Sequence, residues 1–138
     1  MRLASKEITF DAAHLLTGHP GKCRNLHGHT YRLVVTAAET DAADDMVIDF
    51  RELKQLVEEA AGQFDHAFMY DGRSEVEREI AAVLERHGLR TRQLGFRTTA
   101  ENLAKHFFET LSAHARIVSV KVYETPTSCA EYRDDGRN

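Results

Sequence analysis

His27 and His29 stand one residue apart in the run K-C-R-N-L-H-G-H, residues 22–29. If the chain is extended through Gly28, both imidazoles point to the same side, because successive side chains of a strand alternate between faces. His14 closes the earlier run S-K-E-I-T-F-D-A-A-H, residues 5–14. An antiparallel pairing brings it opposite the start of the second run. Three neutral imidazoles with an open fourth position are the donor set of a catalytic zinc, whose vacant position takes water or a substrate oxygen. On spacing alone, a strand-end core histidine at 14 and a simple turn at H-G-H weigh about equally. Cys23, four residues before His27, is a base or nucleophile if its thiol is activated, a fourth metal ligand, or a small buried residue. Asp65 and His66 put a carboxylate beside an imidazole, which suits proton transfer, or else they mark a helix end whose histidine complements the dipole. Glu124 continues the face of Val118, Val120 and Val122 in an alternating run. A carboxylate buried there is costly unless it meets a bidentate cationic or amide-like group, from an internal arginine or from a ligand.

The elements that must position these groups are legible as periodicities. Ile8, Phe10, Ala12 and His14 share one face of a strand over 5–14, and Tyr31, Leu33, Val35 and Ala37 share one face of a second over 29–39, with a Gly-rich loop at 17–24 between them. Asp49 and Glu52 form a helix-starting pattern, followed by Leu53, Leu56, Val57, Ala60, Ala61 and Phe64 at helical spacing. Ser74 and Glu77 start a second helix with Val76, Ile80, Val83 and Leu84 inward, stopped by Gly88. Thr98 and Glu101 start a third, with Leu103, Ala104, Phe107, Phe108 and Leu111 inward. A strand over 117–125 and a short partner at 129–133 complete an order of strand, strand, three helices, strand, strand. That order predicts an α+β domain whose helices cover one face of an antiparallel sheet.

Composition narrows the function classes. A chain of 138 residues is expected to form one domain over 1–138. Lys plus Arg number 18 against 22 Asp plus Glu, and no basic block suits a duplex, so nucleic acid is not the expected partner. The apolar stretches are too short to cross a bilayer and the start lacks a signal-peptide core, which points to a soluble cytoplasmic protein without a membrane partner. Two cysteines, Cys23 and Cys129, are then expected as thiols. Histidine is the outlier, eight in all with three in the first 29 positions.

In order along the chain, F-D-A-A-H, K-C-x3-H-G-H-x-Y, V-I-D-F, F-D-H, T-A-E-N-L-A and V-x-E-T resemble the family of 6-pyruvoyltetrahydropterin and 6-carboxytetrahydropterin synthases. The resemblance implies a tunnelling fold, an antiparallel four-stranded sheet backed by helices that closes into a barrel by oligomerisation, commonly a homo-hexamer built from two trimers. It implies His14, His27 and His29 as ligands of Zn2+ and Cys23, Asp65 and His66 as the catalytic triad. Glu124 matches the carboxylate that anchors the pterin ring, with Thr99 and Thr125 beside it. The C-x3-H-G-H spacing resembles the 6-carboxy enzymes of the queuosine and 7-deazaguanine route, whereas the 6-pyruvoyl enzymes typically show C-x5-H-G-H. Cys23 departs from a folate-associated branch that has glutamate there. Two features depart from the usual pattern: F-D-H-A-F-M-Y replaces L-D-H with a following L-N, and the segment 74–94 is longer than in short bacterial members.

The implied reaction converts 7,8-dihydroneopterin triphosphate to 6-carboxy-5,6,7,8-tetrahydropterin, with release of triphosphate and acetaldehyde. Lys22, Arg24 and Arg133 are candidate cations for the triphosphate. Three other readings fit the residues: a 6-pyruvoyl enzyme, a zinc-stabilised binding module in which Cys23 closes the tetrahedron, and a zinc hydrolase with Glu124 as base.

Overall fold

A computed structural model of the chain describes residues 1–41 and 45–136. The alternating runs form β1, Leu3–His14, and β2, His27–Ala38, each beginning two residues earlier than the alternation suggests. They pair antiparallel over their full length, from Leu3 against Ala38 to His14 against His27. β5, Ile117–Thr125, pairs antiparallel with β2, and β6, Ser128–Arg133, with β5. Helix α1, Phe50–Gly62, starts where the Asp49 carboxylate accepts the Arg51 N–H. Its apolar spacing turns Leu53, Val57, Ala60 and Ala61 inward, with Phe64 just beyond its end. Helix α3, Ala100–Ser112, contributes Leu103, Ala104, Phe107 and Leu111. These side chains pack on Phe10, Tyr31, Leu33, Val35, Val120 and Val122 to make the main core. Full burial of each large apolar side chain contributes roughly 1.5–3 kcal/mol.

The four-stranded antiparallel sheet and its single helix-covered face need correction. Among the described residues the sheet has six strands in the order β4-β3-β1-β2-β5-β6. The two extra ones are β3, Ala67–Asp71, parallel to β1, and β4, Thr91–Leu94, parallel to β3. All five residues of β3 are buried. Met69 faces the main core, while Phe68 and Tyr70 face the other side, where Leu15 and Ala81 of helix α2, Glu75–Arg86, meet them. A strand covered on both faces carries no alternation, which is why A-F-M-Y-D does not read as one. Helix α2 therefore lies on the face opposite α1 and α3.

Helix α2 is also rotated relative to its predicted apolar face. Val76 and Val83 are 51% and 45% exposed, whereas Glu77 and Ala81 are buried and Ile80 and Leu84 half-buried. Gly88 ends the segment with φ +71°, a conformation that favours glycine. The cap of α3 shifts by one residue: the Thr99 hydroxyl, not that of Thr98, accepts the Asn102 N–H at 3.2 Å. No helix among the described residues is long and apolar enough to cross a membrane.

Candidate active site

The register of one strand pair assembles the histidines. His14 is the direct partner of His27, and His29 lies two residues further along β2, opposite Ala12. All three share the face of Phe10 and Tyr31, so the rings converge at the end of the main core, with centroids 4.7, 5.3 and 4.9 Å apart. One nitrogen from each ring lies within 4.8 Å of the other two. Gly28 permits this approach, because a Cβ there would stand 3.1 Å from the Ala12 carbonyl oxygen.

Hydrogen bonds orient the rings. His14 Nδ1 donates to the Thr98 carbonyl at 2.8 Å, with the Thr98 hydroxyl at 3.2 Å, and His27 Nδ1 donates to the Asn25 carbonyl at 2.6 Å. A carbonyl only accepts, so each Nδ1 holds its proton and each Nε2 keeps its lone pair. The Nε2 atoms of His27 and His29 are buried and have no hydrogen-bond partner. Leaving such atoms unpaired costs about 1–3 kcal/mol each, which a shared cation relieves. Burial lowers the His14 pKa to about 4, against the opposing Thr98 carbonyl, and also lowers that of His29. Convergent, and with two of their three Nε2 atoms unpartnered, the imidazoles fit a metal ion such as zinc.

Glu124 sits where β5 breaks register with β6, between Tyr123 and Thr125. Its partner is not an arginine: Arg32 pairs with Glu7 at 3.2 Å and lies over the Tyr123 ring at 3.7 Å. The Glu124 carboxylate is 3.9 Å from His29 Nε2, 27% exposed, and lines a cavity of about 560 Å³ with His29, Thr30, Arg32 and Thr125. Thr125 thus joins Glu124, whereas the Thr99 hydroxyl is engaged as the α3 cap.

Cys23, half-buried in the short 3-10 turn Lys22–Arg24, is a free thiol and is not part of the imidazole cluster. Asp65 and His66 form a separate group with Asp11. Asp65 Oδ1 accepts the Asp11 N–H at 3.0 Å and lies 3.0 Å from His66 Nδ1. The first of these bonds is the main reason its pKa is lowered. His66, at φ +59°, donates its backbone N–H to the Asp11 carbonyl at 2.6 Å. Lys22 and Arg24 belong to the loop with Cys23, and Arg133 pairs with Glu131 at 3.0 Å.

The family described as 6-pyruvoyl tetrahydropterin synthase matches residues 4–135. The chain belongs to this family of enzymes. It is 45% identical over 137 residues to the 6-carboxy-5,6,7,8-tetrahydropterin synthase of Haemophilus influenzae, covering 94% of this chain and 97% of that one. Its fold is similar to that of a Wolinella succinogenes protein, with TM-score 0.81, 20% identity and coverage of 97% and 98%. It is also similar to Plasmodium vivax 6-pyruvoyl tetrahydropterin synthase, with TM-score 0.70, 18% identity and coverage of 97% and 99%.

Three residues of this pterin-synthase chain support the site without having been assigned a role from the sequence. Thr98 is fully buried and holds His14, 84 positions away in sequence. Asn25 acts through its backbone carbonyl, which leaves no side-chain signature. Tyr31 is fully buried, and its hydroxyl lies 3.3 Å from His14 Nε2. Burial, with the Glu124 charge nearby, raises its pKa and keeps the phenol protonated. Of the three only Tyr31 carried a signal, as the last residue of K-C-x3-H-G-H-x-Y and the polar-tipped member of an otherwise aliphatic face.

Proposed function

We propose that this chain is a zinc-dependent lyase of the queuosine and 7-deazaguanine route. It converts 7,8-dihydroneopterin triphosphate to 6-carboxy-5,6,7,8-tetrahydropterin and releases triphosphate and acetaldehyde. The observation that carries the reading is the imidazole cluster with its unpartnered Nε2 atoms, set beside a carboxylate that opens on a cavity. The C-x3-H-G-H spacing and the 45% identical relative support the 6-carboxy product.

His14, His27 and His29 hold the zinc, which supplies Lewis-acid stabilisation of negative charge on substrate oxygens. Glu124 accepts the 2-amino and ring N–H donors of the pterin as a bidentate pair, which orients the ring in the cavity. Thr125, and Thr99 to the extent that its capping bond allows, add polar contacts beside it. Cys23, as the thiolate, moves protons at the side-chain carbons, and Asp65 and His66 relay them. The Asp65 carboxylate holds the His66 ring by its Nδ1, leaving Nε2 to exchange protons. Lys22, Arg24 and Arg133 are the cations offered to the triphosphate.

A homo-hexamer, a dimer of trimers, belongs to the same reading. β3 pairs with β1 only at Ala12 and Ala13, so most of the outer edge of β1 has no strand beside it among the described residues, and β6 ends the sheet on the other side. Such edges favour strand pairing with further copies. The relay of one subunit would then serve the cluster of the next. A cytoplasmic location accords with Cys23 and Cys129 being free thiols.

The test is mass spectrometry of the product formed from dihydroneopterin triphosphate by the zinc-loaded protein. A 6-carboxytetrahydropterin is expected. The 6-pyruvoyl product would replace the reading by its nearest alternative, and no turnover with sulfur at the zinc edge would replace it by a binding module.

A further inference from the structure

Glu77 is 2% exposed, the most deeply buried carboxylate among the described residues. It occupies the third position of α2, after the N-cap Ser74, where a glutamate ordinarily folds back onto the N-cap N–H. Half of that arrangement is present, since the Ser74 hydroxyl accepts the Glu77 N–H at 3.3 Å. The other half is diverted. The Ser74 N–H goes to the Asp71 carbonyl at 3.0 Å, while the Glu77 carboxylate accepts the Asp71 N–H at 3.1 Å and the Thr17 hydroxyl at 2.8 Å.

Thr17 is held on two further sides. Its hydroxyl lies 3.2 Å from that of Ser74, and its carbonyl accepts from the Arg97 guanidinium at 3.2 Å. The preceding residue, Leu16, donates its N–H to the Cys23 carbonyl at 2.8 Å. Thr17 is thus a fixed corner between His14, at the end of β1, and Cys23, and the bond that fixes it comes from α2, 60 positions away. A loop of this length, whose regular structure is the single short turn Lys22–Arg24, would otherwise sample many conformations at an entropic cost to any precise thiol placement.

We propose that Glu77 is a positioning residue: by gripping Thr17 it locks the loop between β1 and β2 and so sets where the Cys23 thiol stands relative to the imidazole cluster. The inference rests on the reading of Cys23 as the residue that moves protons. It gives a role to the segment 74–94, by which this chain departs from the family's short members.

The test uses the zinc-loaded full chain with Thr17→Val, which keeps side-chain size and removes the hydroxyl, Thr17→Ser, which keeps it, and Glu77→Leu as a second break, since a glutamine amide could still donate to the Thr17 hydroxyl. Alkylation of Cys23 by iodoacetamide is followed on its own peptide, with exposed Cys129 as internal reference, alongside kcat, KM and zinc content. In Thr17→Val and Glu77→Leu, Cys23 alkylation should accelerate several-fold relative to Cys129. The kcat should fall by up to about 100-fold, the cost of a ~1 Å misplacement, with KM and zinc content little changed. Thr17→Ser should return both readouts to wild type. An unchanged Cys23 rate in folded Thr17→Val, or a loss that serine does not restore, overturns the proposal. So does unfolding of both breaking variants, which would make the contact a support of the whole fold. If Cys23→Ala retains turnover, the reading of Cys23 fails on its own, while the alkylation comparison still decides whether Glu77 places the loop.

Discussion

Two groups of titratable side chains lie on opposite faces of the same strand pair. His14, His27 and His29 share the face covered by α1 and α3 with Phe10 and Tyr31. The Asp11 side chain, which accepts the Thr30 hydroxyl, is on the other face, beside the cavity that His66 lines. In the first group His14 is buried and His27 and His29 are half-buried; backbone carbonyls fix the rings of His14 and His27 through Nδ1, and the Nε2 atoms of His27 and His29 are left without partners. In the second, the Asp65 side chain is 44% and that of His66 76% exposed, and each carboxylate already has its donor. The contrast separates two kinds of preparation. One group is complete within the chain except for a cation. The other is held only at its base and presents its proton-carrying ring outward, to whatever packs on that face.

The largest effect should come from the buried group. Replacing His27 by alanine is expected to remove most bound zinc and all turnover, as measured by metal analysis and product formation; unchanged metal content would sink the cluster as the metal site. His66→Ala should instead leave zinc content and thermal stability near wild type, because the ring is exposed, yet lower kcat by roughly 10²–10⁴-fold, the usual range for losing a general acid or base. A loss of zinc in that variant would erase the distinction between the two groups. Glu124→Gln comes next: an amide cannot accept two charge-assisted bonds, so pterin affinity measured by calorimetry should weaken by roughly 1.5–3 kcal/mol with zinc retained. An unchanged affinity would remove Glu124 as the anchor.

The same contrast explains what could be read from the residues beforehand. The imidazole cluster was legible because it obeys parity: alternation places His14, His27 and His29 on one face, and an antiparallel pairing does the rest. Helices α1 and α3 were legible through apolar spacing that one covered face preserves. β3 and β4 were not, because burial on both faces erases alternation in β3 and β4 is only four residues long. The same packing misleads about α2, where a buried Glu77 takes the position expected of Val76 or Val83. Asn25 and Thr98 hold their rings through main-chain carbonyls, one of them across 84 positions, and no residue type announces such a contact. The relation of Asp65 to Asp11 lay equally out of reach, since it depends on α1 returning to the edge of β1.

Acidification should separate the two groups by the smallest and most graded effect. Burial lowers His14 to about 4 and shifts His29 in the same direction, so between about pH 6.5 and 4 the unfolded chain carries protons on these rings that the folded chain does not. Where the unfolded state binds more protons, stability rises with pH; the metal-free protein should therefore lose stability steadily as the pH falls through that window. His106, half-buried beside Arg92, is lowered too and adds to the same slope. The share of the cluster is isolated by comparison with the zinc-loaded protein. Zinc binds only the deprotonated rings of the folded state, so its stabilisation should shrink as the pH drops. Asp65 behaves differently: its pKa is lowered chiefly by the Asp11 N–H, so its contribution is present above the ordinary aspartate range and disappears only as the pH falls below it. Thermal melts of both forms from pH 7 to 4, repeated with His14→Gln, check the assignment. The slope should flatten in His14→Gln and stay unchanged in Asp65→Asn, and an unaltered slope in His14→Gln would show that the buried ring is not what titrates.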